Sequence, residues 1–359
     1  MDLLKPVCDK TILEQAGHDT WRYRIPGLVV TAAGTVLAYY EIRRDADDWN
    51  ACGIGLRRST DGGLSWAPRF DLAAPGSTLT INNPVMVAAR SGLVHFLWET
   101  GYNRMFHQVS RDDGLTWSDP VEQTTVLNGL RSRYAWTAFG LGPGHGIETR
   151  DGRLLVPVWL CDGGGRAHRP SVVATLYSED GGLSWSCGAI VPRMTDQGDV
   201  LVNPNESALV ELRDGRILIN MRHETPRRHR ALAVSDQGIG GWSAPWLDDR
   251  LPDPVCCAGM AGWPGVSGDP DVVAFSNCAT SGPQRTDLTI RTSLDGGRTW
   301  PAARLLEIVA GYSDLASHGP WLYCFYEQGR ADPTGICPQA LVMARINRAW
   351  LDNKQERGE

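Results

Sequence analysis

The sequence lacks the cysteine spacing that marks a metal site or a disulfide framework. Its nine cysteines are an odd number, no CxxC pair occurs, and Cys256 and Cys257 are adjacent. This spacing favours reduced thiols, so we expect neither a bound metal nor disulfides. The first ten residues, MDLLKPVCDK, also lack the apolar core of a signal peptide. We therefore expect a cytoplasmic location.

Basic runs and long apolar runs are absent as well. The formal net charge is -6, and no stretch approaches the roughly 20 apolar residues of a membrane helix. Nucleic acid and membrane surfaces are therefore not expected as partners. The stretch GPGHG at 142–146 lacks the Lys-Ser/Thr and the helix that follow a phosphate-binding loop, so we expect no nucleotide cofactor. We interpret His145 as a loop residue near a cleft.

Glycine, proline and tryptophan are abundant, and tryptophan recurs within a repeated motif. The chain contains 40 Gly, 22 Pro and 14 Trp, against 9 Tyr and 6 Phe. The pattern Ser-x-Asp-x-Gly-x-Ser/Thr-Trp occurs at 59–66, 110–117, 178–185 and 293–300, and a degenerate copy occupies 235–242. This internal repeat is the strongest signal in the chain.

Each copy of the repeat predicts a tight turn that closes a β-hairpin. An apolar stretch precedes each copy, as in SVVATLYS at 171–178. The Asp can accept hydrogen bonds from turn amides, the Gly supplies a positive φ, and the Trp is expected to pack beneath the turn. Acidic residues are too sparse for a calcium loop, so we interpret the repeat as structural.

The spacing of the copies predicts an all-β fold, a six-bladed β-propeller with four-stranded antiparallel blades. Copies begin 51 to 68 residues apart, which suits four short strands with their loops, and about 60 residues per unit gives roughly six units. We expect a single domain over residues 1–359, with a short C-terminal helix near 347–356. The segments DKTILEQ (9–15) and ALVMARI (340–346) are expected to pair and close the ring.

Three arginines stand where an apolar run begins or ends, each in a different predicted blade. Arg24 lies in YRIP, Arg222 follows RILINM, and Arg285 precedes TDLTIR. Each of them alone is more simply a solvated surface charge, and Arg22 is interpreted in that way. If all three guanidinium groups point toward the central axis of the predicted propeller, they would instead bind a carboxylate through planar, charge-assisted hydrogen bonds.

Acidic residues and one tyrosine complete the candidates. Glu206 begins a predicted strand in NPNESALVEL, the loop RRDADDWN (43–50) contains three aspartates, and Tyr312 lies in AGYSDL. Taken singly, these residues are more simply read as a cap, a solvent-facing loop and a packing residue. Their chemical interest depends on whether the fold brings them to the arginines.

Taken together, these motifs resemble the sialidase (neuraminidase) superfamily of exo-glycosidases. The matching segments are YRIP, the four repeats (Asp-boxes in that family), GPGHGI, NESALVELRDGRILINMR, RTDLTIRTSLDGGRTW and GYSDL. They occur in the family's order and cover nearly the whole chain. The resemblance implies a six-bladed propeller that uses no cofactor and acts on a sialylated oligosaccharide or glycoconjugate.

The resemblance also implies roles for five of the candidates. Tyr312 matches the family's nucleophile, and Glu206 matches the acid that activates the tyrosine. The carboxylate-binding triad of the family is matched by Arg24, Arg222 and Arg285.

The general acid/base of the family is an Asp in the loop after the second strand. Counting forward from YRIP favours Asp48, whereas counting back from the first Asp-box permits Asp47. Arg43 lies where the family often places an arginine beside the sugar hydroxyls, and Arg44 is adjacent to it.

The expected chemistry is a two-step reaction with retention of configuration. A sialic acid carries its carboxylate on the anomeric carbon, so a neutral tyrosine avoids the repulsion that a carboxylate nucleophile would meet. Glu206 would act as the base for Tyr312, and the nearby arginines should favour the phenolate. Asp48 would protonate the leaving oxygen and later deprotonate the attacking water.

Three alternatives to an exo-sialidase stay open at this point. A hydrolase for a related 2-keto-3-deoxy sugar acid, Kdn or Kdo, would use the same carboxylate grip. A non-catalytic carbohydrate-binding propeller is disfavoured because Tyr312, Glu206 and an acidic loop are all present. A trans-glycosidase would need an acceptor site that the sequence does not identify, and the oligomeric state is equally open.

Overall fold

The computed structural model shows a chain built almost entirely of β-strands, which confirms the all-β class. It describes residues 5–17, 22–45, 47–73, 80–164, 168–264, 272–332 and 335–353. No helix within these ranges has the length and apolar character needed to cross a membrane.

The strands are short and follow one another closely. In chain order they are β1 (Cys8–Gln15), β2 (Arg22–Val30), β3 (Val36–Arg43), β4 (Ala51–Ser59), β5 (Phe70–Ala73), β6 (Ile81–Ala88), β7 (Val94–Thr100), β8 (Arg104–Ser110), β9 (Val121–Glu122), β10 (Ala138–Leu141), β11 (Gly144–His145), β12 (Ile147–Glu148), β13 (Leu154–Cys161), β14 (Ser171–Ser178), β15 (Ser186–Cys187), β16 (Ser207–Glu211), β17 (Ile217–Met221), β18 (His229–Ser235), β19 (Trp246–Pro252), β20 (Gly259–Gly262), β21 (Val273–Cys278), β22 (Thr286–Ser293), β23 (Ala302–His318), β24 (Trp321–Asp332) and β25 (Gly335–Asn347). Short 3₁₀ helices cover Asp48–Asn50 and Thr124–Leu130.

The strands pair with their sequence neighbours into mainly antiparallel sheets. The orders are β2-β3-β4-β5, β11-β6-β7-β8-β9, β10-β13-β14-β15 with β12 beside β13, β16-β17-β18-β19, and a longer sheet β1-β25-β24-β23-β22-β21-β20. Only the contact of β11 with β6 is parallel among these described pairs. Successive sheets pack face to face, since Leu37 and Leu56 of one sheet share a buried cluster with Met86 and Phe96 of the next.

The two ends of the chain meet in one sheet, as the sequence predicts. Strand β1 runs antiparallel to β25, with Cys8 opposite Ile346 and Gln15 opposite Ala340. The expected C-terminal helix is present as α1 (Arg348–Asp352), where the Asn347 side chain accepts a hydrogen bond from the Trp350 amide. Residues 354–356, which the prediction also assigned to this helix, lie outside the described residues.

The repeated motif forms the predicted hairpin turns, which join β4 to β5, β8 to β9, β14 to β15 and β22 to β23. In the first copy, Asp61 Oδ1 accepts hydrogen bonds from the amides of Leu64 and Ser65 at 3.0 and 2.9 Å. The Ser59 hydroxyl accepts one from the amide of Gly63, whose φ is +84°. The other three copies repeat the second of these hydrogen bonds, from the amide of the residue just before the tryptophan: Thr116, Ser184 and Thr299 donate to Oδ1 of Asp112, Asp180 and Asp295.

The tryptophan that ends each copy packs against the core, as expected. Trp185 is buried within one hydrophobic cluster. The other three are half-buried and pack against neighbouring clusters, namely Trp66, Trp117 and Trp300. Much of the unusual tryptophan content therefore serves the turns of the repeat.

Among the several register irregularities of the described sheets, three are β-bulges that place two consecutive residues opposite a single residue of the partner strand. The bulges fall at Ile25–Pro26 in β2, Asn83–Pro84 in β6 and Gly311–Tyr312 in β23. Ile25 and Asn83 adopt positive φ angles of +58° and +44°. A bulge leaves backbone groups without ladder partners and redirects the adjacent side chains, which is a common arrangement beside active sites.

A glycine in the third copy of the repeat offers a test of the turn geometry. Gly182 has φ +85°, and a Cβ at this position would stand 2.3 Å from Cε1 of the buried His95. Gly152 has a similar φ of +90° with no atom within 4 Å of such a Cβ. We expect Gly152→Ala to lower the free energy of unfolding by about 1 kcal/mol through backbone strain alone. Gly182→Ala should lower it clearly further, because the clash is added to the strain.

Thermal and urea-induced unfolding of the two variants would measure this difference. Equal destabilisation by the two substitutions would show that the turn does not press against His95.

Candidate active site

A cavity of about 500 Å³ collects most of the predicted site residues. They come from the first, fourth and last sheets of the chain, so distant segments meet here. The predicted residues that line it are Arg24, Asp48, Glu206, Arg222, Arg285 and Tyr312. The structure thus brings six of the seven predicted residues to one cavity, and Arg43 is not among the lining residues.

Strand register explains how Glu206 and Arg222 come to lie side by side. Strands β16 and β17 form a hairpin in which Ser207 is opposite Met221. Glu206 and Arg222 are the next pair outward, and the Arg222 amide donates to the Glu206 carbonyl at 3.0 Å. The two side chains therefore leave the same end of the hairpin, where the Arg222 guanidinium forms an ion pair with the Glu206 carboxylate.

Tyr312 completes a three-membered hydrogen-bonded group with this pair. Its hydroxyl donates to Glu206 Oε1 at 2.5 Å. Arg222 Nη1 donates to the same hydroxyl oxygen at 2.8 Å. The phenol oxygen therefore has a carboxylate in place to accept its proton and a cation in place to stabilise the resulting negative charge.

The environment of Tyr312 favours the neutral phenol, the form that the sequence analysis expects to need a base. Burial raises the pKa of Tyr312 well above its ordinary value, and the opposing effects of Arg222 and Arg285 do not overcome it. Arg222 and Arg285 favour the phenolate, as expected, but the removal of the phenol from water has the larger effect. Tyr312 is a neutral phenol that needs a base, and Glu206 is the carboxylate in contact with it.

The three predicted arginines surround the Tyr312 ring. The guanidinium carbons of Arg24 and Arg285 lie 5.4 and 5.1 Å from the ring centroid, and Arg222 contacts the hydroxyl. Arg24 and Arg222 each have a carboxylate partner. Arg285 has no such partner among the described residues, and its Nη2 donates to the Val255 carbonyl at 3.2 Å. The site therefore holds a cation available to an incoming anion.

A buried glutamate that the sequence interpretation missed links Arg24 to Tyr312. Glu327 Oε1 accepts from Arg24 Nε at 2.5 Å and from the Ile25 amide at 3.1 Å. Its Oε2 accepts from the Tyr312 amide at 3.1 Å. These amides belong to the bulges of β2 and β23, so one carboxylate satisfies two bulges and neutralises one arginine. The only sequence signal was an acidic residue at the end of the apolar strand WLYCFYEQ.

Asp48, and not its neighbour Asp47, lines the cavity. Asp47 caps the 3₁₀ helix, where its Oδ1 accepts from the Trp49 amide at 2.9 Å. Asp48 Oδ1 accepts from Arg43 Nη1 at 2.6 Å. Burial alone would raise the pKa of Asp48, but Arg43 and then Arg24 lower it below its ordinary value.

Arg43, expected beside the sugar hydroxyls, lies behind the cavity wall, and its role toward a sugar stays a prediction. Its side chain is only 1% exposed, and it pairs with Glu41 behind Asp48. The fully buried Glu41 carboxylate explains this placement, because a buried anion holds its cation strongly. Arg43 therefore acts on the cavity through Asp48 in this structure.

Arg22 and a group of aromatic residues extend the cavity beyond the predicted set. Arg22, interpreted from the sequence as a solvated charge, lies in the wall with Nη1 4.0 Å from Cys337 Sγ. Trp159 and His168 form another part of the wall, with ring centroids 5.3 Å apart. Burial lowers the pKa of His168, so this wall is uncharged near neutral pH. No local motif marks these aromatic residues.

His145 lies away from the cavity lining. Its Nδ1 donates to the carboxylate of Asp314 at 2.9 Å. Burial alone would lower the pKa of His145, but the Asp314 carboxylate raises it above the ordinary value. Asp314 also accepts from the Leu28 amide at 2.9 Å, so the pair joins β11, β2 and β23.

The contacts of Glu327 predict a large loss of stability when its charge is removed. In Glu327→Gln one amide NH₂ replaces an acceptor that faces backbone N–H groups, and Arg24 loses its buried partner. We expect the free energy of unfolding to fall by about 3 kcal/mol. The control is Glu122→Gln, which breaks the exposed ion pair with Arg104 and should leave stability unchanged within error. Chemical denaturation of both variants tests this, and a Glu327→Gln protein as stable as the control would contradict it.

Comparison with known proteins supports the family relationship that the motifs suggest. A family model described as a BNR repeat-like domain matches residues 76–320. A sialidase of Micromonospora viridifaciens is 32% identical over 92% of this chain and 52% of its own length. A sialidase of Bacteroides fragilis is 30% identical over 82% of this chain and 57% of its own length. The chain thus spans little more than half the length of these curated relatives.

A solved structure agrees in fold. The Hadza microbial sialidase Hz136 superimposes with a TM-score of 0.74 at 24% identity, covering 92% of this chain and 66% of that protein. The BNR repeat-like match and the alignments to named sialidases lead to the same conclusion as the cavity geometry: the chain belongs to the sialidase superfamily.

Proposed function

We propose that the protein is an exo-sialidase that hydrolyses terminal α-linked sialic acids with retention of configuration, using Tyr312 as the nucleophile. The observation that carries this proposal is the contact of the Tyr312 hydroxyl with both Glu206 and Arg222, at 2.5 and 2.8 Å. A neutral phenol with a base and a cation at its oxygen is suited to attack a substrate that is itself negative near the reacting carbon.

A six-bladed propeller is the scaffold that we propose for this site. Strand β23 pairs with β22 through residues 302–309 and with β24 through residues 310–318. Dividing the longest sheet at this change of partner gives two four-stranded units, β20 to β23 and β23 to β25 with β1. Together with the other four sheets, these make six units of the size expected for blades.

The three arginines would bind the carboxylate of the sugar. Guanidinium groups form paired, charge-assisted hydrogen bonds to carboxylates. Arg285 supports this role most directly, because no described carboxylate pairs with it, whereas Arg24 and Arg222 are fixed by Glu327 and Glu206. A carboxylate held among these groups would place the anomeric carbon over the Tyr312 oxygen.

In the first step, the Tyr312 oxygen forms a bond to the anomeric carbon while the bond from that carbon to the leaving oxygen breaks. The phenolic proton passes to Glu206, and the carboxyl proton of Asp48 passes to the leaving oxygen. The products are an alcohol and a sugar acid joined to Tyr312.

In the second step, water attacks the anomeric carbon and gives a proton to Asp48. The bond to the Tyr312 oxygen breaks, and that oxygen recovers its proton from Glu206. The sum is the addition of water across one glycosidic bond, and two displacements at the same carbon restore the starting configuration.

Asp48 must carry a proton at the first step, although Arg43 and Arg24 lower its pKa in this structure. Its side chain is 51% exposed, so a bound sugar would replace much of its contact with water. Desolvation and the added substrate carboxylate would both raise the pKa of Asp48. Substrate binding would thus raise the pKa of Asp48 and favour the protonated form that the first step requires.

A panel of substrates with two site variants tests this function. Aryl glycosides of N-acetylneuraminic acid, Kdn and Kdo are compared by kcat/KM, and we expect turnover of the N-acetylneuraminic acid glycoside. Tyr312→Phe and Glu206→Gln should each lower kcat on the order of 10³-fold or more. Turnover of only Kdn or Kdo would reassign the substrate, and wild-type rates in Tyr312→Phe would exclude the nucleophile.

The acid role of Asp48 is tested by the leaving group. Asp48→Asn should lower kcat/KM by about 10²- to 10⁴-fold for a natural sialyl-galactoside, whose leaving alcohol needs a proton. The loss should be much smaller for a nitrophenyl glycoside, whose leaving group departs as an anion. Asp47→Asn is the matched control and should retain activity with both substrates. A reversed result for the two variants would assign the acid to Asp47.

A further inference from the structure

One guanidinium group is shared between the proposed general acid and a second, fully buried carboxylate. Arg43 donates from Nε to Glu41 Oε2 at 2.7 Å, and its Nη2 lies 2.6 Å from the same oxygen. On its other side, Nη1 donates to Asp48 Oδ1 at 2.6 Å. Glu41 itself lies outside the cavity lining and makes no contact that substrate chemistry would require.

The hydrogen bonds of Glu41 are those of an ionised carboxylate. Its Oε2 accepts from Arg43, and its Oε1 accepts from the Asn83 amide at 2.7 Å. Every described partner is a donor, so a proton on Glu41 would break one of these bonds. The contacts with Arg43 and Asn83 oppose the effect of burial but do not cancel it, so the pKa of Glu41 lies above its ordinary value.

We propose that Glu41 is a positioning residue that divides the charge of Arg43 between itself and Asp48, and so keeps Asp48 able to hold the proton that it delivers to the leaving group. The inference rests on the proposed function and adds to it a residue that never touches the sugar. Without Glu41, the full guanidinium charge would act on Asp48 and hold it ionised.

The remaining charged groups around Asp48 do not offer the same balance. Arg24 on β2 and His168, which precedes β14, also act on its pKa, and both favour the ionised carboxylate. Tyr102, which follows β7, interacts with Asp48 as well, but burial raises the pKa of this phenol well above its ordinary value, so it adds no charge. Arg24 is offset by its own partner, Glu327. Among the described residues, Glu41 on β3 is therefore the anion that offsets Arg43.

The sign of the effect follows from the requirement for protonated Asp48. The rate kcat/KM falls as pH rises through the pKa of the general acid. Removing the charge of Glu41 takes away a nearby anion and releases Arg43, and both changes favour ionised Asp48. The basic limb of the pH profile should therefore move to lower pH.

The experiment compares Glu41→Gln with wild type over a range of pH, using a sialyl-galactoside that needs acid assistance. We expect the basic limb of kcat/KM to move down by about one pH unit, with a corresponding loss of up to about tenfold on that limb. A nitrophenyl glycoside should show a much smaller change. An unmoved basic limb, or one moved to higher pH, would overturn the proposal.

Glu99→Gln is the matched control. Glu99 is also fully buried and accepts from Asn83 Nδ2 at 2.9 Å and from the Leu141 amide at 3.2 Å, but it does not contact Arg43. Its variant should keep the wild-type pH profile. An equal shift in Glu99→Gln would attribute the effect to general loosening of the buried network and overturn the proposal.

Two further measurements distinguish a failure of the Glu41 proposal from a failure to fold and from a failure of the proposed function. If Glu41→Gln does not fold, Glu41→Asp retains the charge but withdraws it from Arg43, and its basic limb should move in the same direction by a smaller amount. A wild-type protein without turnover of any sugar acid would refute the proposed function itself. Wild-type turnover with an unmoved limb in both variants would refute only the role of Glu41.

Discussion

The geometry of the site depends on one buried carboxylate that satisfies two bulged strands at once. Regular strands would place Arg24 and Tyr312 in ladders with all amides paired. The bulges of β2 and β23 free the amides of Ile25 and Tyr312, and Glu327 accepts hydrogen bonds from both as well as from Arg24. Burying this anion is favourable only because each of its oxygens is occupied. Tyr312, the proposed nucleophile, and Arg24, one of the three proposed carboxylate-binding arginines, are therefore held by the same carboxylate.

Charge in the cavity is arranged as local pairs with one exception. Arg24 pairs with Glu327, Arg222 with Glu206, and Arg43 with Glu41 and Asp48. Each pair limits the cost of burying a guanidinium group, and it also sets the state of a reacting group. Arg43 has two carboxylate partners and Arg285 has none among the described residues, so the four arginines and four carboxylates balance in number while the Arg285 guanidinium stays locally unpaired. The carboxylate of a sugar acid, the proposed substrate, would pair with this guanidinium.

The sequence could predict those features that depend on short, recognisable residue patterns. The turns at Asp61 and its equivalents depend on residues within one octapeptide, and the pairing of β1 with β25 follows from two apolar segments. Tyr312 and Glu206 were found through family motifs, and their roles stay predictions. Glu327 and Glu41 were missed because their importance depends on which amides and guanidinium groups face them across strands. The wall of Trp159 and His168 joins segments with no shared pattern, and the ion pair of Arg43 with Glu41 was not foreseen because no motif marks its buried partner.

Covalent labelling of Tyr312 tests the central claim most directly. A 2,3-difluorinated sialic acid carries a fluoride leaving group that needs no acid, and its second fluorine slows hydrolysis of the intermediate. After incubation and proteolysis, mass spectrometry should find the fluorinated sugar on Tyr312 in the peptide containing GYSDL, and Tyr312→Phe should remain unlabelled there. Labelling of Glu206 or Asp48 in the wild-type protein, or full turnover of a sialoside by Tyr312→Phe, would contradict the account.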